Sequence, residues 1–164
     1  MDSSILAALK GRINDQIFKL TPNQILFYAK IDVDHHISKK NNRPIFGRGG
    51  KSFLGKSQKL RDAENSMVLQ LRSQGNKYRI IEPIRSDLWC VFLFYFKNYN
   101  LRKKERRNKK LNDLSNLFEL PADCLQEAKI IEDDGQIQSF DLSRRLPADH
   151  NYLELFLISY NNSL

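Results

Sequence analysis

The sequence predicts an α+β fold, a mixed β-sheet with helices packed on it and a C-terminal β-hairpin. Three observations predict it. Leu88 to Phe96 is a near-continuous apolar run of nine residues, the signature of a strand buried on both faces. Ser57 to Gln74 carries an apolar stripe at helical spacing. Two further strand-like runs close the chain, with a turn between them. The length of 164 residues suits one domain with a real core.

The elements follow in order. Ser4 to Phe18 reads as an amphipathic helix, with Ile5, Leu6, Leu9, Ile13, Ile17 and Phe18 near one face, ended by Thr21-Pro22-Asn23. Residues 1–22 are therefore expected to be a helical extension, and residues 23–164 the main domain. The extension's expected role is packing or a dimer contact. Gln24 to Val33 is rich in β-branched and aromatic residues and predicts a strand. A long polar loop rich in Gly, Lys and Arg follows, up to about Phe53. Its Asp32, Asp34, His35 and His36 invite a metal-site reading, but adjacent histidines on extended chain point to opposite faces and chelate poorly.

In the helix from Ser57, the stripe of Leu60, Ala63, Met67 and Leu71, with Val68 alongside, is core, and Gly75-Asn76 is the expected stop. A strand over Ile84 to Phe96 then delivers the chain into Arg102, Lys103, Lys104, Arg106, Arg107, Lys109 and Lys110. Next comes a helix to about Lys129, with Asn116 as its cap and Glu119 closing a capping box. Pro121 fits only near the first turn, because it removes a backbone donor, so the start is expected at Asn116 or later. Ile137 to Arg145 and Tyr152 to Tyr160 predict the last two strands, paired as a hairpin about the turn Pro147 to Asn151.

Charge narrows the function. A net charge of +8 favours an acidic partner, nucleic acid above all. The longest apolar run is too short to cross a bilayer as a helix, and the start lacks the basic region of a signal peptide. A cytoplasmic, nucleoid-associated protein with no membrane partner is expected. Cys90 and Cys124 read as free thiols in a reducing compartment. The dense basic run ends on Asp113, and Glu132-Asp133-Asp134 follows the next helix. Lysine and arginine suit a polyanion, and carboxylates suit a hard divalent ion, so their adjacency points to chemistry on a phosphodiester. A helix climbing about 20 Å and an extended return over Lys129 to Asp133 of similar length would bring Asp134 back beside Asp113. The competing reading makes these acids ordinary caps and turns.

The segment D-L-S-N-L from Asp113, Asp123 ten residues on, and the acidic pair ending at Asp134 resemble the RusA family of Holliday junction resolvases. Asn41, Asn42 and Arg43 are similar to that family's N-terminal segment. The resemblance spans about Asn41 to Tyr160, and only Asp113 to Ile137 is specific. It implies a bacterial or phage-encoded, metal-dependent endonuclease that cuts branched DNA in recombination and repair, working as a homodimer. It implies Mg²⁺, or Mn²⁺ in its place, held by Asp113 and Asp134, with Asp133 assisting. It leaves the DNA backbone to Arg102 through Lys110, with Asn42 and Arg43 in a DNA-contacting arm. Two positions depart from the family pattern: Ser115 stands where it has a second acid, and Glu119 where it has a lysine. Ser115 would orient water or metal, and Glu119 is a candidate replacement acid. Lys109 or Lys110 could supply the missing cation. The alternatives are a binding protein of this fold that has lost cleavage, and a basic RNA-associated protein.

Overall fold

The structure, a computed structural model, describes residues 25–39, 44–48, 51–97 and 114–160. The expected helix at Ser4 to Phe18 lies outside them. Five strands form one mixed sheet: β1 (Ile25–Asp32), β4 (Leu88–Lys97), β5 (Ile137–Ser139), β6 (Arg144–Ala148) and β7 (Tyr152–Ser159). Its order is β1-β7-β4, with β5 and β6 in succession along the far side of β4. The β1–β7 and β7–β4 pairs are antiparallel, whereas β5 and β6 run parallel to β4. A separate antiparallel pair, β2 (Ile45–Arg48) and β3 (Lys51–Leu54), occupies part of the stretch expected to be a loop.

The apolar run does make the central strand. Cys90, Phe92 and Phe94 face one core cluster, and Val91, Leu93 and Tyr95 face a second on the other side of the sheet. Both helices lie on the first side. The helix α1 (Gln58–Lys77) buries Leu60, Met67, Val68 and Leu71, and α2 (Leu114–Glu127) buries Leu117, Leu120, Cys124 and Leu125. Ser57 caps α1, its hydroxyl accepting from the Leu60 amide. The path β4, α2, β5 and β6 is a crossover between parallel strands, which requires an intervening connection of this kind.

Three expectations are corrected. The C-terminal strands are present but do not form a hairpin: β6 pairs with one side of β4 and β7 with the other. A central strand presents two rows of backbone groups, and both must be paired when it is buried. Asn151 manages the passage over the end of β4, accepting from the Lys97 amide at 2.8 Å and donating to the Asp34 carbonyl at 2.6 Å. Second, α2 is already helical at Leu114, so Asn116 is not its cap and Pro121 sits inside it. Packing of Leu117, Leu120 and Pro121 against the core offsets the lost backbone bond. Third, α1 runs past Gly75. Arg79 takes the left-handed conformation (φ 54°), with Ile80 N–H bonded to the Gly75 carbonyl and Arg79 N–H to the Asn76 carbonyl. Gly75 serves another purpose, because a Cβ there would lie 2.6 Å from Ile130 Cδ1. The end of α1 meets the chain just past α2 at that point.

Candidate active site

The acidic turn is built from the end of α2. Lys129 is left-handed (φ 61°), Ile130 N–H bonds to the Leu125 carbonyl, and Lys129 N–H to the Gln126 carbonyl. The chain thus reverses and Ile131 bridges to Ile84, just ahead of β4. Asp133 then caps a short 3-10 turn (Asp134–Gln136), accepting from the Gly135 amide at 2.8 Å. A Cβ on Gly135 would lie 2.7 Å from that same Asp133 oxygen, so the cap needs glycine here. Gln136 completes a capping box: its Oε1 accepts from the Glu132 and Asp133 amides. Its Nε2 donates to the carbonyls of Ile84 and Ser86, fastening the turn to the entry of β4.

Asp133 and Asp134 are both exposed but have different work. Asp133 is engaged in holding the turn. Among the described residues the Asp134 carboxylate has no hydrogen bond or ion pair, so its oxygens remain available to a ligand. The turn packs against α2, whose first turns present Ser115 and Glu119 to solvent. These two are four apart and share a helix face. An outward carboxylate on a pinned turn suits a hard cation that binds through few carboxylates and keeps waters. Asp113 lies outside the described residues, as do Arg102, Lys103, Lys104, Arg106, Arg107, Lys109, Lys110, Asn42 and Arg43. The described residues show the acidic turn at the entry of β4 and Lys97 at its exit, about 30 Å along the strand.

Asp123, one of the residues shared with the family motif, is ion-paired to Lys39, whose side chain is 9% exposed. Sequence reasoning missed this pair, since nothing local links positions so far apart. It also missed Gln136, although Asp133-x-x-Gln136 has capping-box spacing. The same spacing at Asn116 and Glu119 is not a cap, because the helix has already begun at Leu114.

The other reactive groups are structural. His36 packs on Phe94 and Phe96, and its Nε2–H donates to the Tyr95 carbonyl at 2.7 Å. Burial lowers its pKa to about 4. No group of three or more His, Cys, Asp or Glu among the described residues is arranged to hold a metal. Burial pushes the Cys90 and Cys124 thiols up to about 12, which leaves them poor nucleophiles. A cleft of about 1130 Å³ opens beside the exits of β1 and β4, lined by Asp32, Asp34, Lys59, Asp62 and Lys97 among others. The acidic turn does not line it. No helix among the described residues is long and apolar enough to cross a membrane.

A mixed sheet with two helices on one face, and a pinned acidic turn against the second helix, defines an α+β protein with a carboxylate-bearing candidate site. The family model of endodeoxyribonuclease RusA matches residues 38–154, and the chain belongs to that family of structure-specific endonucleases acting on Holliday junctions. A search of curated proteins finds no match.

Proposed function

We propose that this chain is a Mg²⁺-dependent endonuclease that resolves branched DNA as a homodimer, in recombination and repair. The observation that carries this reading is the division of labour in the acidic turn: Asp133 is spent on the cap while Asp134 is left open. Asp113 and Asp134 would hold the ion, with Asp133 assisting by fixing the turn that presents Asp134; bound there, the ion would supply positive charge to the scissile phosphate and acidify a water. Ser115 would orient that water through its hydroxyl. Arg102 through Lys110, with Asn42 and Arg43, would grip the backbone and offset the charge developing on phosphate. A twofold dimer offers two equal sites, as symmetric resolution of a junction requires.

The test is nicking of a labelled four-way junction with Mg²⁺ and with Mn²⁺. Asp134→Asn should lower cleavage by about 100-fold or more while junction binding holds or tightens, since a like charge facing phosphate is removed. Equal loss of binding and cleavage would assign Asp134 a structural role instead. A second reading, binding without cleavage, is favoured by Ser115, which brings no charge where the family pattern has an acid. Junction binding without nicking at any metal or pH would establish it.

A further inference from the structure

An open hollow of about 570 Å³ lies just past the acidic turn, outside the groups proposed for metal and phosphate. Three aromatic rings line it. Phe140 is already engaged, stacked on Phe118 at 4.6 Å. Trp89 is half-buried and Tyr160 is 38% exposed, and among the described residues neither ring stacks on another.

Backbone register sets these two side by side. Trp89 is opposite Ile158 across β4 and β7. The Tyr160 amide bonds to the Asp87 carbonyl at 3.0 Å, which carries that ladder one residue further. Residues two apart share a face of a strand, so Trp89 and Tyr160 are diagonal neighbours on one face. Such neighbours stand about 7–8 Å apart. Stacked bases lie about 3.4 Å apart, so two rings at that separation leave the thickness of one base between them.

Fixed polar groups complete the hollow. Trp89 Nε1–H donates to the Asp141 carbonyl at 2.9 Å, and the Asp141 amide donates to Ser139 Oγ at 3.0 Å. The Ser143 amide closes a turn on the Phe140 carbonyl, and Leu142 inside it is left-handed (φ 70°), where glycine would be easier. The Leu142 side chain lines the hollow and packs on the core cluster of the second side, so the strained backbone keeps an apolar wall there. The same turn sets the Asp141 carboxylate at the rim, with no hydrogen bond or ion pair among the described residues. A carboxylate repels phosphate but accepts from the amino group of a base. Gln138 ties the hollow to the acidic turn, its Nε2 donating to the Gly135 carbonyl at 3.4 Å. Asp134 is four residues away, at most about 14 Å of chain.

We propose that this hollow is a subsite for one unstacked base of the branched DNA, held between Trp89 and Tyr160, with Asp141 accepting from its exocyclic amino group. Adenine, cytosine and guanine carry such a group and thymine does not. A branch point interrupts duplex stacking, which lowers the cost of turning a base out. That the subsite lies next to the cut rests on the reading of Asp134 as a metal ligand.

Trp89 is the one tryptophan, so its emission reports on the subsite directly. The full-length chain is titrated with a four-way junction in EDTA, and binding is followed separately by anisotropy of a label on the DNA. Saturation should quench Trp89 emission by roughly half or more, as a base stacks on the indole. Tyr160→Leu should weaken binding at least about 5-fold and remove most of the quench. Leu69→Ala, which trims an exposed apolar side chain on α1, should change neither. Single-stranded oligodeoxycytidine should bind at least about 5-fold tighter than oligothymidine of the same length, and Asp141→Asn should level the two. Unchanged Trp89 emission at saturation would overturn the proposal, and this measurement needs no variant to fold. So would native quench and affinity in Tyr160→Leu, or equal binding of the two single strands by the native chain. Nicking in Mg²⁺ by a chain whose Trp89 stays silent would remove the subsite alone. A quenched Trp89 in a chain that never nicks would uphold the subsite and remove the reading of Asp134.

Discussion

His36 offers the sharpest quantitative test of the packing at the end of β4. The ring is half-buried against Phe94 and Phe96 and donates to the Tyr95 carbonyl, an arrangement that suits the neutral imidazole. Burial is the main cause of the pKa of about 4, the charge of His35 adds to it, and the Tyr95 hydrogen bond opposes it. The unfolded chain takes up a proton near pH 6.5, before the folded chain does. The stability due to the neutral ring is thus fully present above that pH, declines as the pH falls, and is gone once the folded group titrates near 4. A gap of this size is worth about 3 kcal/mol in full, and about 2 kcal/mol of it is lost between pH 7 and pH 5. His36→Gln keeps an N–H donor for the Tyr95 carbonyl but does not titrate. Urea unfolding of both chains at the two pH values isolates this contribution. The native chain should lose about 2 kcal/mol more than the variant on going to pH 5. Equal losses would refute the burial argument, as would a directly measured His36 titration near 6.5.

The remaining predictions concern the helix ends and the acidic turn. Gly75→Ala should be stabilising by about 1 kcal/mol in an Ile130→Val background, where the methyl that blocks a Cβ is gone, and neutral or destabilising in the native one. Thermal unfolding of the four chains in that cycle checks it, and additivity would count against the close contact. Lys129→Gly should raise stability by about 0.5–1 kcal/mol, since its left-handed backbone suits glycine; an unchanged or lower melting temperature would contradict this. Asp133→Ala should cost about 1 kcal/mol through loss of the cap and Asp133→Asn much less, read from urea midpoints.

What could be read from the chain, and what could not, follows from how local each cause is. Leu88 to Phe96 announces a doubly buried strand because its neighbours on both sides need only be apolar, whichever they are. The stripe of α1 is similarly self-sufficient. Strand pairing is not. The partners of β6 and β7 are settled by competition for the two edges of β4, and no turn sequence records that outcome. The start of α2 is not legible locally, because Pro121 carries a local penalty while the compensating burial is tertiary. In the candidate site, Asp133 and Asp134 were recognisable as an acidic pair, but their different roles depend on Gly135 and Gln136 closing a cap. The Lys39–Asp123 pair joins a loop to a helix and leaves no local trace.

The two departures from the family pattern can be weighed together. An acid and a lysine one turn apart sum to zero, whereas Ser115 and Glu119 sum to minus one. The chain therefore keeps a carboxylate on this stripe of α2 and loses a cation. Glu119 lies one turn beyond Ser115, about 6 Å along the axis. Side chains on a helix lean toward its N-terminus, so the longer glutamate is directed back toward the level of Ser115. Both positions are exposed, which leaves that path open. The next residue on the stripe, Asp123, is neutralised by Lys39 and so adds no free charge. On the proposed reading, Glu119 restores in reach what Ser115 lacks in charge. The cation then has to come from off the helix, and Lys109 and Lys110, just ahead of Asp113 in the chain, are the nearest candidates in sequence.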